Sequence, residues 1–264
     1  MRERVAARPA TGIVAVARVA TVLLAALAVS GPEPSGADDV AAPRAPAPSA
    51  SAVAPVVRAT PALVWIRDVA PLVVEDVRYA TPRNFVGRPI DGYEAAKCLL
   101  TPAAAAAVAK AQAALASSDL RLVVWDCYRP ERAVADFVRW ARDLSDTRAK
   151  SEYYPDVPKD ELFARGYIAE KSGHSRGSTL DVGLLRRDGT TDRFVPVDMG
   201  TTYDFFDPRS HTDAPGTRPE ARRNRDLLRE AMSSAGFVNL AEEWWHYTLK
   251  DEPYRETTFD VPVR

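Results

Sequence analysis

The residues able to do chemistry gather in two short stretches, Ser172-Gly173-His174-Ser175-Arg176-Gly177-Ser178-Thr179-Leu180-Asp181 and Glu242-Glu243-Trp244-Trp245-His246-Tyr247. Between them they hold two of the three histidines in the chain, each accompanied by an acidic residue at short spacing. Two neutral imidazoles and one carboxylate make a three-ligand zinc site with an open fourth position, the arrangement of hydrolytic rather than structural zinc.

For such side chains to converge, the backbone around them must take particular shapes. Thr179 to Leu184 alternates as a strand does, which turns Leu180, Val182 and Leu184 to a core and Thr179, Asp181 and Gly183 to the other side. Asp181 then sits on a rigid element, and His174, placed before a Ser-Arg-Gly turn, can fold back toward it. Taken singly, His174 reads as a loop histidine and Asp181 as a turn residue; the second stretch is what makes them a pair. Glu243 and His246 are three apart, so an ideal strand would send them to opposite faces. A helical turn or a bulge is needed to bring them together. Trp244 and Trp245 read alone as a buried pair, and beside a site as a rigid apolar wall that excludes water.

Further elements surround these. Leu120 to Cys127 is a strand candidate, and Val64 to Val77 is rich in β-branched residues. Thr101-Pro102 before an alanine run predicts a capped helix. Pro130 predicts a second helix start, with Ala133, Phe137, Trp140 and Leu144 on one face. Thr217-Arg218-Pro219-Glu220 has the form of a capping box opening a third helix, which Gly236 closes. Strands and helices mix without a βαβ rhythm and without a phosphate-binding glycine loop. The expected fold class is therefore α+β, a single domain with a mainly antiparallel central sheet packed by helices and the zinc site in a cleft on the sheet.

The chain has 264 residues and a net charge of −1, which gives no basic footprint for nucleic acid and no polybasic membrane patch. A small substrate is the expected partner; oligomeric state is not legible. Arg2, Arg4, Arg8 and Arg18 precede an apolar run from Val19 to Val29, and Ser35-Gly36-Ala37 offers a cleavage site. Residues 1–37 thus read as a signal peptide and 38–60 as a Pro/Ala-rich disordered linker, followed by a folded domain over 61–264. Export to the periplasm or beyond, with no stable membrane insertion after cleavage, is the expectation; an uncleaved N-terminal anchor is the alternative. Cys98 and Cys127, the only cysteines, would meet an oxidising compartment and can pair as a disulfide. A catalytic thiol at Cys127 is the competing reading.

Ser-x-His-x-x-Gly-x-x-x-Asp followed by Glu-x-x-His resembles the zinc peptidases acting on D-alanyl peptides of the bacterial wall. Within them it is most similar to the D-alanyl-D-alanine dipeptidases of the vancomycin-resistance type. The resemblance runs from about Val73 to the C-terminus. Its further marks include Arg78-Tyr79-Ala80-Thr81, Asp91-Gly92-Tyr93, Trp125-Asp126-Cys127-Tyr128-Arg129-Pro130, Ser151-Glu152-Tyr153-Tyr154-Pro155, Tyr203-Asp204-Phe205 and Asp251-Glu252-Pro253-Tyr254. It implies His174, Asp181 and His246 as ligands of one Zn2+, Glu243 as catalytic base and Arg129 as the stabiliser of the transition state. It implies substrate contacts at Asp204 (to the free ammonium), Tyr79, Tyr93 and Ser172. His211 is expected not to be a ligand. Thr179 and Tyr203 stand where Ala and Phe are more usual in the resembled family, departures expected to touch pocket shape more than metal binding. The implied activity is hydrolysis of D-Ala-D-Ala to two D-alanines. The alternatives are a zinc D,D-carboxypeptidase on longer wall peptides and a non-catalytic zinc-containing wall-binding module.

Overall fold

The computed structural model describes residues 60–264, so the expected signal peptide and all but the last residue of the linker lie outside the described residues. A small antiparallel pair, β1 (Val64–Trp65) with β3 (Leu99–Leu100), flanks the main sheet. That sheet runs in the order β2 (Val74–Glu75), β4 (Leu120–Asp126), β5 (Thr179–Arg187), β8 (His246–Leu249), β7 (Phe237–Asn239), with β6 (Phe194–Pro196) paired to the far end of β5. Only β2 with β4 is parallel; the other pairs are antiparallel. The α+β class with a mainly antiparallel sheet is therefore what the chain adopts.

Among the described residues five α-helices accompany the sheet: α1 (Ile66–Val69), α2 (Pro102–Leu115), α3 (Glu131–Arg142), α4 (Lys150–Tyr153) and α5 (Pro219–Ser234). Helix α2 starts where its sequence asks, with the Thr101 side chain accepting from the Ala104 N–H. Its small side chains at Ala104, Ala105, Val108 and Ala111 are buried, as are Leu122, Val124, Leu180 and Val182 on the strands. Two helix starts differ from the sequence expectation. Pro130 is the N-cap of α3 rather than its first residue, and Leu144 falls beyond the helix end and is 55% exposed. Arg218 rather than Thr217 occupies the N-cap of α5 and makes no side-chain cap hydrogen bond, so no capping box forms; the Thr217 hydroxyl donates to the Ala214 carbonyl.

Strand β5 is the spine of the domain, pairing with β4, β6 and β8 and buried from Thr179 to Leu185. Gly183 is required there: a Cβ would lie 2.3 Å from the Trp125 ring of β4. Its absence lets Trp125 lie across β5 and stack on Tyr203 at 4.9 Å. Cys98 and Cys127 are disulfide-bonded, tying the end of β4 to the residue before β3. That pairing removes the thiol reading of Cys127.

Candidate functional site

Three neighbouring strands set Asp126, Asp181 and His246 in one row. Asp126 at the end of β4 pairs with Asp181 on β5, and Asp181 pairs with His246 at the start of β8. The β4–β5 register shifts between Val124 and Asp126, and that irregularity is what sets Asp126 opposite Asp181. His174 reaches the row from a single turn of 3-10 helix, Gly173–Arg176. The Ser172 hydroxyl caps this turn by accepting from the His174 N–H, and Gly177 at φ +79° closes it. A Cβ on Gly177 would meet Leu63 at 2.8 Å, so the reversal that aims His174 at Asp181 depends on glycine twice over.

Glu243 and His246 converge through a turn, as their spacing demanded: the His246 N–H donates to the Glu243 carbonyl at 3.2 Å. Asn239 clamps this turn, its amide donating to the carbonyls of Glu243 and His246, both at 3.0 Å. Trp244 and Trp245 do not wall the site. They lie beneath the turn, 1% and 2% exposed, with the Trp244 indole donating to Thr201. The apolar lining comes instead from Phe85, Val134, Phe137, Ile168, Phe206 and Leu240.

His174, Asp181 and His246 make a group able to hold a metal ion. Asp181 Oδ1 lies 3.3 Å from His174 Nε2 and 3.2 Å from His246 Nδ1, and the two ring nitrogens are 3.3 Å apart. Ligands about 2.0 Å from a tetrahedral zinc would sit about 3.3 Å from one another, so the triangle has the right edges. Asp181 Oδ1 is buried yet accepts no hydrogen bond, an orphaned acceptor that a cation would satisfy. The tautomer of His174 also fits, since its Nδ1–H is engaged by the Cys127 carbonyl at 2.8 Å, leaving Nε2 bare. Burial works against the Asp181 charge, but the imidazoles of His174 and His246 hold its carboxyl far below the ordinary carboxylate range. His246 is raised: burial opposes its charge, but the negative charges of Asp181 and Glu243 beside it together outweigh that.

Around the triad stand the other expected residues. Glu243 Oε2 is 3.4 Å from His246 Nδ1. Its pKa is raised by withdrawal from water, against the pull of His246, with Asp181 adding repulsion. Arg129 lies 3.8 Å from Asp181 and sits over the rings of Tyr79 and Phe137, each at 5.1 Å. Burial opposes its charge, but Asp126 and its other neighbours keep it firmly protonated. Asp204 is buried, accepts from the Tyr79 hydroxyl at 2.9 Å and has no cation within ion-pair distance among the described residues. Its backbone is left-handed at φ 58°, a conformation that costs about 1 kcal/mol or more outside glycine. Burial, then the nearby Asp181, push its pKa well above the ordinary range. Tyr79, Ser172, Arg129, Asp204 and Glu243 all line one cleft of about 240 Å³ with the triad. Tyr93 does not line it, and His211 lies outside both the cleft and the metal group.

Two residues matter more than their sequence suggested. Asp126, fully buried, accepts from Arg129 Nε at 2.9 Å and from the Tyr93 hydroxyl, and faces Arg129 Nη2 at 2.8 Å and His174 Nδ1 at 3.2 Å. It is the hub behind both the arginine and the first imidazole; the available signals were its three-residue spacing from Arg129 and its place in the Trp125 to Pro130 stretch of the resemblance. Tyr203 bears on the metal group and not merely on pocket shape, because its hydroxyl reaches Asp181 Oδ2 at 3.0 Å. Thr179 meets Thr248 across the strands and stays out of the cleft lining.

The comparisons with known proteins fall on this same domain. The family model for D-Ala-D-Ala dipeptidase matches residues 59–264. A D-alanyl-D-alanine dipeptidase of Enterococcus faecium is 43% identical over 189 residues, 72% of this chain and 92% of that protein. One from Streptomyces coelicolor is 44% identical over 188 residues, covering 71% and 91% respectively. One from Enterococcus faecalis is 45% identical over 188 residues with the same coverage. On that match, running through β4, β5, β8 and the cleft they frame, the chain belongs to the D-Ala-D-Ala dipeptidase family.

Proposed function

We propose that this protein is a zinc dipeptidase that splits D-Ala-D-Ala into two D-alanines. One observation carries the reading: Asp204 places a buried carboxyl without a cationic partner in the same small cleft as the metal triad. A dipeptide supplies a free ammonium next to its scissile bond, and a longer wall peptide does not. The cleft volume, below the roughly 300 Å³ at which drug-sized sites begin, also favours a small substrate.

His174 Nε2, Asp181 and His246 Nδ1 would hold the zinc, which supplies Lewis acidity and acidifies water toward a pKa of about 7. Glu243 takes a proton from the attacking water and returns it to the departing amine. Arg129 presents a fixed cation to the negative charge that develops on the carbonyl oxygen. Asp204 and Tyr79 receive the ammonium. Ser172, at the Arg129 side of the cleft, meets the rest of the dipeptide. Tyr93 serves through Asp126.

The test is hydrolysis of D-Ala-D-Ala beside that of an N-blocked tripeptide ending in D-Ala-D-Ala, with zinc content measured on the same sample. Cleavage of the tripeptide alone would establish the D,D-carboxypeptidase instead. Glu243→Ala is expected to keep its zinc and lose about 10²- to 10⁴-fold in kcat; unchanged turnover removes Glu243 from the mechanism. Export is the companion proposal, supported by the basic and apolar N-terminus and by the Cys98–Cys127 bond, which suits an oxidising compartment. N-terminal sequencing of the fractionated protein tests it, and an intact cytoplasmic chain refutes it.

A further inference from the structure

Four buried groups stand in line: Asp181, Tyr203, Tyr79 and Asp204. Their contacts are 3.0 Å from Tyr203 Oη to Asp181 Oδ2, 3.1 Å between the two phenol oxygens, and 2.9 Å from Tyr79 Oη to Asp204 Oδ2. The first member is a metal ligand and the last is the carboxyl assigned to the ammonium. Tyr203 is held for this task from both sides. Trp125 stacks on it at 4.9 Å through the gap left by Gly183, and the edge of Trp245 packs at 5.6 Å.

We propose that Tyr203 is a positioning residue for Asp181 and that, with Tyr79, it forms a hydroxyl relay coupling the amine-binding end of the cleft to the metal ligand. Proton counting gives the reason. Each phenol carries one proton. Two protons cannot fill three oxygen–oxygen contacts, so when both carboxylates are ionised one contact goes without a hydrogen. A third proton on Asp204 fills every contact and commits the Tyr203 proton to Asp181. An ammonium bound at Asp204 calls for the ionised carboxylate and fixes the Tyr79 proton on it, which leaves Tyr203 divided between Tyr79 and Asp181. What occupies the amine end thereby sets how firmly Asp181 is held. Partners one step beyond a metal ligand are typically worth 10- to 100-fold in metal affinity.

The inference rests on the zinc reading of the triad, and the experiment separates the two. Zinc affinity is measured by competition with a chromogenic chelator on the full chain, for the parent, Tyr203→Phe, Asp204→Asn, Tyr79→Phe and their pairwise combinations. Tyr203→Phe is expected to weaken zinc about 10-fold or more. Measured at a pH high enough to ionise Asp204, Asp204→Asn, whose amide donates permanently to Tyr79 as the neutral carboxyl does, is expected to tighten zinc about threefold or more relative to the parent and to do nothing in the Tyr203→Phe background. Tyr79→Phe, which also frees Tyr203 to serve Asp181 alone, should reproduce the Asp204→Asn effect, with no further change when the two are combined. If Tyr203→Phe does not fold, the Tyr79 and Asp204 pair decides. A Tyr203→Phe protein with parental affinity overturns the relay. So does an Asp204→Asn effect that persists undiminished without Tyr203, since that is the mark of charge acting through space. A parent chain that takes up no zinc overturns the metal reading itself.

Discussion

Asp126→Asn is the substitution that should separate holding the site from doing its chemistry. Asp126 does not itself line the cleft and does not touch the metal triad's bare donor atoms, yet it carries the Arg129 guanidinium through Nε at 2.9 Å and Nη2 at 2.8 Å. The arginine side chain is 13% exposed and the aspartate fully buried, so their charges see little solvent. Breaking such a pair from one side leaves an uncompensated cation and costs about 3–5 kcal/mol of stability. Asp181, 3.8 Å from the same guanidinium, keeps part of the compensation and places the expected loss near the lower end, about 3 kcal/mol. The asparagine amide also turns a donor toward a group of donors, so Arg129 should leave its place. Losing one preorganised donor to a developing oxyanion costs about 10² to 10³ in kcat, or about 3 to 4 kcal/mol in the barrier. The assay is kcat on D-Ala-D-Ala with zinc saturated, together with urea unfolding, for Asp126→Asn, Arg129→Ala and the double variant. If Asp126 acts through the arginine, adding Asp126→Asn to Arg129→Ala should cost less than about threefold more in kcat. A single Asp126→Asn variant within threefold of the parent, or a fully additive double variant, refutes the reasoning.

Three further outcomes are expected. Asp204 has a raised pKa in the folded protein, so the native state favours its neutral form; that stability is complete below the unfolded-state value near 4 and is lost as pH rises through the folded value. Asp204→Asn should therefore match the parent in urea unfolding at about pH 3 and exceed it at about pH 8, while losing dipeptide binding, and a stability difference independent of pH would contradict the assigned shift. Gly183→Ala should cost about 1–3 kcal/mol, because its methyl would enter the Trp125 ring that is itself wedged against Tyr203 and Trp244; a neutral result in thermal unfolding would show that the ring yields freely. Replacing both Cys98 and Cys127 by Ser opens a loop of sequence separation 29 and should lower the unfolding free energy by roughly 3 to 4 kcal/mol; an unchanged midpoint in urea unfolding would refute that contribution.

The local parts of this molecule were legible and the relations between strands were not. Thr101-Pro102, the β5 alternation and the need for Glu243 and His246 to leave strand geometry all follow from short-range rules, and each is met locally. The Thr217 box failed because the helix begins one residue later, with Arg218 at the N-cap and Pro219 at the first helical position. Helix α3 ended before Leu144 because Asp143 leaves helical geometry at ψ 88°. The tryptophans were visible as large apolar residues, but which side of the turn they pack on depends on Thr201 and Tyr203, more than forty positions earlier in the chain. Asp126 is the clearest case. Nothing in its neighbours reveals that a register shift after Val124 will set it against Asp181, and through that against His174.

That register shift explains why the site works as a unit rather than as a list of residues. Asp126, Asp181 and His246 occupy neighbouring strands at one level of the sheet, so the hub of the arginine, the central ligand and the last ligand are fixed by backbone pairing and not by flexible loops. The residues proposed to meet the substrate, Tyr79, Asp204 and Ser172, and the proposed base Glu243 lie outside the strands, around that row. Each is nonetheless tied back to it: Tyr79 and Asp204 through Tyr203, Ser172 through Arg129 and His174, Glu243 through Asn239 and the His246 N–H. A small substrate offers few contacts, so little binding energy is available to pull a loose site into order. A cleft that acts on a dipeptide must therefore arrive already assembled, and in this chain a three-strand row with each turn tethered back to it meets that requirement.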